Sequence, residues 1–207
     1  MSATARPAAP TPLPDSRSAR RPSEDFHLQL QPDALTAFDV LLHELNPRAV
    51  RADAERISNL ARWLSTLRVA EAHTLLDRRL DRAGELGAML VDSDWEPGDG
   101  VRQRATKLLD YVDRDDDLID DRIPVLGLLD DALLVDLAWP AFASEVDDYL
   151  DFCAYRREHQ LIGVDARHRS DWLRDRHAEI ELWRRQVERA REHYARCWIP
   201  DSLFRIR

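Results

Sequence analysis

Apolar side chains recur at alternating steps of three and four residues along most of this chain. That spacing places them on one face of an α-helix, whereas a half-buried strand needs an apolar residue at every second position. No alternating stretch of useful length is present, and glycine occurs only six times in 207 residues. Leucine and alanine outnumber the β-branched valine and isoleucine, which also favours helices. The sequence therefore predicts an all-α fold, a compact helical bundle.

Composition and turn signals divide the chain into regions. Residues 1–25 are rich in Pro, Ala, Ser and Arg and poor in large apolar side chains, so we expect a disordered N-terminal tail. Residues 32–92 carry the apolar spacing of three helices, two of which we expect to form an antiparallel hairpin. A turn-rich segment at 93–100 leads into an acidic helical unit over 98–158. A long C-terminal helix is predicted over 168–200.

The helix boundaries of the acidic unit follow from local signals. The apolar spacing predicts a helix over about 101–111 and a second helix that begins near Gly127. Trp139 and Pro140 are expected to interrupt that second helix, because proline cannot donate a backbone hydrogen bond. Ser144 is followed three residues later by an aspartate, which is the spacing of a capping box. We therefore predict a further helix from Ser144 through Tyr155.

The C-terminal helix carries a narrow apolar seam that only Arg176 interrupts. Its members follow three- and four-residue steps and are flanked by arginines: Leu173, Ile180, Trp183, Val187, Ala190, Tyr194 and Cys197. A seam of this kind packs either against the helices of its own bundle or against a second copy in a coiled coil. We expect packing on the bundle, and a homodimer through this helix is the alternative.

Charge is concentrated between residues 110 and 151. This segment holds fourteen carboxylates and only two cations, Arg114 and Arg122, a net charge of −12 in a chain of −9. A helix over the densest part would place aspartates four residues apart on one face, where like charges repel. We therefore expect a turn whose aspartates accept backbone amides. Asp130 and Asp131 are predicted in the first turn of a helix, where its dipole favours carboxylates.

The residues around this turn also follow a recognisable order, namely Tyr111, Asp117-Leu118-Ile119, Asp121, the apolar turn Ile123 to Gly127, and Asp130-Asp131. In this order they resemble the signature of the YkvA-like family, small bacterial helical domains of uncharacterised function. The resemblance covers residues 98–140 loosely. It departs at Asp115 and Asp120, where the family has proline. The resemblance implies a helical domain and implies no particular activity.

Three hypotheses account for the acidic cluster. In the first, the carboxylates cap helices and pair with arginines, of which residues 155–207 carry thirteen. In the second, an acidic face docks a protein partner with a basic surface through Asp113, Asp116, Asp117, Asp120 and Asp121. In the third, four carboxylates converge on Mg²⁺, Ca²⁺ or Mn²⁺, hard cations that prefer oxygen ligands: Asp117, Asp121, Asp130 and Asp131. The spacing is not that of an EF-hand loop, and no cofactor is required by any motif.

Other function classes find little support in the sequence. The C-terminal arginines are interleaved with acidic residues and the chain is negative overall, which argues against nucleic acid as a partner. No signal peptide or membrane-spanning segment is expected, so we predict a cytoplasmic protein. Cys153 and Cys197 fit core packing better than a disulfide framework. The leading hypothesis is a non-enzymatic protein that acts through protein contacts, and the alternative is a metal-dependent hydrolase of a phosphate-containing substrate.

Overall fold

The computed structural model describes residues 28–114, 118–120, 122–161 and 168–195. These residues contain helices and turns and no strand. The helices are α1 (Pro32–Leu45), α2 (Ala54–Leu64), α3 (Val69–Val91), α4 (Asp99–Val112), α5 (Leu129–Ala138), α6 (Ala143–Leu161) and α7 (Arg169–Ala195). Two single 3₁₀ turns, Leu126–Leu128 and Trp139–Ala141, flank α5. The predicted all-α class is confirmed, and the predicted tail at 1–25 lies outside the described residues.

Local signals define the ends of the first two helices. Pro32 occupies the first turn of α1, where its missing N–H costs nothing. Asp53 caps α2, since its carboxylate accepts the Arg56 backbone N–H at 2.8 Å. Asn46, which follows α1, donates its side-chain amide to the Leu137 carbonyl at 2.8 Å. The end of α1 is therefore attached to the end of α5, 91 residues away in sequence.

Helix α5 lies at the centre of the packing. It contacts α3, α1 and α4, and its residues from Leu129 to Val135 are all buried. A helix that is buried on every face belongs in a core, and its sequence is apolar on nearly every side apart from three aspartates. The main contacts of α3 are with α5 and α4. The predicted pairing of α3 with α2 in a hairpin is not among the closest helix contacts of the described residues.

The chain divides into two compact units, the first ending at Asp151 and the second beginning at Phe152. The predicted hairpin region, 32–92, and most of the predicted acidic unit, 98–158, belong to the first unit. Within it, the turn-rich segment between α3 and α4 is fixed by Trp95, which is fully buried and contacts Tyr149 edge to face at a ring distance of 5.6 Å.

The predicted boundaries of α6 are wrong at both ends. The helix begins at Ala143 and ends at Leu161, so it starts before Ser144 and continues past Tyr155. Ser144 lies inside the first turn and cannot be the capping residue. The helix instead follows the 3₁₀ turn that contains Pro140, and the Phe142 carbonyl accepts the Val146 N–H at 3.0 Å.

In the second unit, α7 is linked to the C-terminal part of α6. The Tyr155 hydroxyl donates to Asp175 at 2.6 Å, and the Trp172 side chain is buried. Further along α7 the large apolar side chains are exposed, among them Ile180 and Trp183. The predicted packing of this helix on the bundle stays a prediction. None of the described helices has the length and apolar character of a membrane span.

Candidate functional site

The carboxylates of residues 110–151 do not form a single solvated surface. Among those that the structure describes, Asp113 and Asp120 are exposed, whereas Asp130 and Asp131 are buried. Asp110 and Asp151 are also exposed, and the remaining four are half-buried: Asp136, Glu145, Asp147 and Asp148. Of the sequence-predicted site residues, Asp116, Asp117 and Asp121 lie outside the described residues. The acidic segment therefore combines a surface part with a buried part.

One buried carboxylate binds two residues of the chain between α4 and α5, Leu118 and Ile119. Oδ2 of Asp130 accepts three hydrogen bonds: from the Tyr111 hydroxyl at 3.0 Å, the Leu118 N–H at 3.0 Å and the Ile119 N–H at 3.1 Å. The side chains of Leu118 and Ile119 are buried as well. We call these four residues the Asp130 anchor. It attaches the last turn of α4 and the loop that follows to the first turn of α5.

The loop over residues 113–125, which we call the acidic loop, forms turns where it is described. Oδ1 of Asp120 accepts the Arg122 N–H at 3.0 Å, and the Asp120 carbonyl accepts the Ile123 N–H at 2.9 Å. Val125 has a φ of 71°, a strained conformation for a β-branched residue, directly before the 3₁₀ turn. The prediction that aspartates here accept backbone amides in a turn is confirmed at Asp120.

The electrostatics of the anchor are dominated by burial. Desolvation raises the pKa of Asp130 to about 6, although the hydrogen bonds from Tyr111 and from the Ile119 and Leu118 amides act in the opposite direction. Its second oxygen, Oδ1, is buried and accepts no hydrogen bond. Burial therefore outweighs the hydrogen bonds that favour the carboxylate, and the ionised form of Asp130 is costly near neutral pH.

This raised pKa predicts a pH-dependent stability. The folded state binds the Asp130 proton more tightly than the unfolded state, so the stabilisation is complete below about pH 4 and is lost as pH rises through about 6. When the pH is lowered from about 7.5 to about 4.5, the free energy of unfolding of the wild type should rise by about 2 kcal/mol relative to that of Asp130→Asn. Denaturant unfolding of both proteins at the two pH values measures this gain. A difference that does not change with pH would contradict it.

A cluster of one half-buried carboxylate and two buried arginines joins α3 to α5. Asp136 lies 3.1 Å from Nη1 of Arg82 and 3.9 Å from Nε of Arg79, and both guanidinium groups are buried. Arg82 also stacks over the Trp139 ring at 4.7 Å. Burial lowers the pKa of Arg79, while Asp136 acts to raise it. The sequence predicted arginine partners for the acidic segment among residues 155–207, and these two come from α3 instead.

The structure describes two of the four predicted metal ligands. As predicted, Asp130 and Asp131 lie in the first turn of α5, and the structure shows that both are buried. Oδ2 of Asp130 is already occupied by the three donors of the anchor. Asp117 and Asp121, the other two predicted ligands, are outside the described residues. Within the described ranges, no group of three or more His, Cys, Asp or Glu side chains could hold a metal ion.

A cleft of about 310 Å³ lies beside the anchor, between α1 and α4. Its apolar wall includes Phe38 and Tyr111, whose rings meet edge to face at 5.7 Å. Lys107 and Arg114 also line it, and the Lys107 ammonium pairs with Glu44 at 2.5 Å. The cleft therefore adjoins the acidic loop through Arg114 and Leu118, which belong to both.

The fold and the site together define an all-α protein with an acidic loop anchored on a buried carboxylate. No model of a known protein family matches the chain, and no curated protein or solved structure matches it either. The YkvA-like resemblance stays a prediction. Three of the segments that carry it, at Tyr111, Leu118-Ile119 and Asp130, do meet in the Asp130 anchor. The sequence pattern contained these residues but gave no sign that they bind one another.

Proposed function

We propose that this protein is non-enzymatic and acts by binding a protein with a basic surface through its acidic loop. The observation that carries the proposal is the position of Asp113 and Asp120. Both carboxylates are exposed, and they flank Leu118 and Ile119, which the Asp130 anchor holds in the interior. The described part of the loop thus combines two backbone amides bound to Asp130 with two carboxylates that face solvent.

A fixed backbone favours binding because less conformational entropy is lost when a partner docks. The Asp120 side chain is itself held by the Arg122 amide, which limits the motion of one exposed carboxylate. Surface charge of one sign raises the rate of encounter with a partner of the opposite sign and selects against partners of the same sign. Since Arg114 and Arg122 are the only cations between residues 110 and 151, the segment remains strongly negative.

The test uses two variants with the same change in charge. Asp113→Asn with Asp120→Asn removes two of the six negative charges of the acidic loop and keeps an oxygen that can accept the Arg122 amide. The matched control, Asp77→Asn with Asp81→Asn, removes two exposed carboxylates from α3. We expect the loop variant to bind an arginine-rich peptide at least about fivefold more weakly than wild type, because charged contacts at an interface contribute to affinity. The control should change affinity less than about twofold.

Isothermal titration at low salt gives both affinities, and partner capture by photo-cross-linking in cells extends the comparison to natural ligands. Partners retained by the α3 control and lost by the loop variant would support the proposal. Equal losses in the two variants would show that only overall charge matters. Partners fully retained by the loop variant would contradict a role for this loop.

We further propose a cytoplasmic location, since Cys153 in α6 is a free thiol and such thiols are common where the environment is reducing. The alternative of a metal-dependent hydrolase rests on Asp117, Asp121, Asp130 and Asp131 in the sequence. No contact among the described residues favours it over protein binding. We also propose that the chain is related to the YkvA-like family, because the residues of the anchor are among those that carry the resemblance.

A further inference from the structure

The exposed side of α7 carries an apolar seam with the spacing of a coiled coil. Ile180 is 48% exposed and Trp183 is 67% exposed, and Leu173 at the start of the seam is 39% exposed. Val187 and Ala190 continue the same steps one and two turns later. Trp172 is instead buried, and Tyr155 binds Asp175, so the contacts of α7 with α6 lie near its first turns. Within the described part of the seam, Ile180, Trp183 and Ala190 face solvent and Val187 is half-buried.

The seam residues fit the two inner positions of a heptad. With Leu173 at position a, Ile180 and Val187 also fall at a, while Trp183 and Ala190 fall at d. Branched side chains at a favour two-stranded, parallel coiled coils. Leu182 falls at position c, outside the seam, although it is 56% exposed. The seam is therefore a defined stripe on a helix that has other exposed apolar residues.

The charges beside the seam distinguish the two orientations of a helix pair. In a parallel pair, position g of one helix faces position e of the next heptad on its partner. That rule places Glu179 opposite Arg184 of a second copy, twice by symmetry. In an antiparallel pair, positions e face each other, which would bring together arginines at 184 and 191. Both Glu179 and Arg184 are exposed, and Arg184 pairs within its own helix with Glu181 at 3.0 Å.

We propose that the protein forms a parallel homodimer in which α7 pairs with α7 of a second copy along this seam. The partner is a second copy because the seam and the flanking Glu179 and Arg184 are complementary to themselves in parallel register. Helix α7 has 27 residues and a length of about 40 Å. Arg176 at d and the small Ala190 at d weaken the seam at both ends. The dimer therefore dissociates in the micromolar range, on the order of 1–50 µM.

Sedimentation equilibrium of the full chain between about 1 and 200 µM tests the proposal. Wild type should pass from monomer to dimer over this range. Ile180→Glu places a charge in the seam and should raise the dissociation constant at least about tenfold. The matched control is Leu182→Glu on the same helix, with similar exposure, and it should change the constant less than about threefold. Far-UV circular dichroism checks that both variants keep their helix content.

A charge exchange tests the parallel register independently. Glu179→Arg alone places two arginines opposite each other, and Arg184→Glu alone places two glutamates opposite each other, so each variant should dimerise more weakly than wild type. Mixing the two variants restores both pairs in a heterodimer, and association should recover. Wild type that stays monomeric at about 200 µM would overturn the proposal. Equal losses of dimer affinity in Ile180→Glu and Leu182→Glu would overturn the seam as the dimer contact. If association does not recover when the two charge variants are mixed, the parallel orientation is wrong.

Discussion

Replacing Asp136 with leucine should lower the free energy of unfolding by about 3–5 kcal/mol. The aspartate is the carboxylate that Arg79 and Arg82 share at the contact between α3 and α5, and both guanidinium groups are buried there. Without it, two positive charges lie close together in the interior, where water cannot solvate them. Removing one member of a buried ion pair costs more than the pair contributes, because the remaining charge is left desolvated.

Urea denaturation followed by tryptophan fluorescence measures this loss. Asp77→Leu, on the exposed side of α3, is the control and should change the free energy of unfolding by less than about 0.5 kcal/mol. Adding Arg82→Met to Asp136→Leu should recover part of the loss, since one of the stranded charges is then replaced by an apolar side chain. If the double variant is as unstable as the sum of the two single variants, the proposed coupling between the two residues is wrong.

The second large effect is expected at the Asp130 anchor. Asp130→Ala removes the acceptor of the Tyr111 hydroxyl and of the Leu118 and Ile119 amides, three buried donors. Leaving buried donors without acceptors should cost about 3 kcal/mol of unfolding free energy. Asp130→Asn keeps an oxygen that can accept and removes the buried charge, so its cost near neutral pH should be much smaller.

Hydrogen exchange locates this effect. The amides of Leu118 and Ile119 should lose protection in Asp130→Ala, while amides in the middle of α3 keep theirs relative to the new global stability. Tyr111→Phe serves as a graded control, because it removes one donor and leaves the two amides bound, at a cost of about 1 kcal/mol. Unchanged protection at Leu118 and Ile119 in Asp130→Ala would show that Asp130 does not hold the loop.

The Asp130 experiment also bears on the proposed function, because the anchor binds the Leu118 and Ile119 amides directly before the exposed Asp120. A protein that keeps its fold but loses the anchor should therefore bind a basic partner more weakly, even though every exposed carboxylate is still present. Asp130→Ala, examined under conditions where it remains folded, separates the effect of loop position from the effect of charge.

Much of the helical structure could be predicted from the sequence. The apolar spacing from Leu35 to Leu45 and from Val69 to Leu90 marked α1 and α3 because helical side chains three and four residues apart share one face. The turn in the acidic loop was predictable as well, since clustered aspartates disfavour a helix and accept nearby amides. The start of α6 was not, because a capping signal at Ser144 competed with the turn set by Pro140.

The sequence by itself determined the fold class, the helix-forming segments and the position of the acidic loop, all of which depend on residues a few positions apart. Only the tertiary structure decided which carboxylates are buried. Asp136 meets Arg82 across 54 residues and Asp130 meets Tyr111 across 19. These pairings depend on how α5 packs between α3 and α4. An aspartate at a given place in the sequence is compatible with a solvated surface or with an ion pair in the interior. Side-chain partners in the interior are set by helix packing, which local periodicity does not encode.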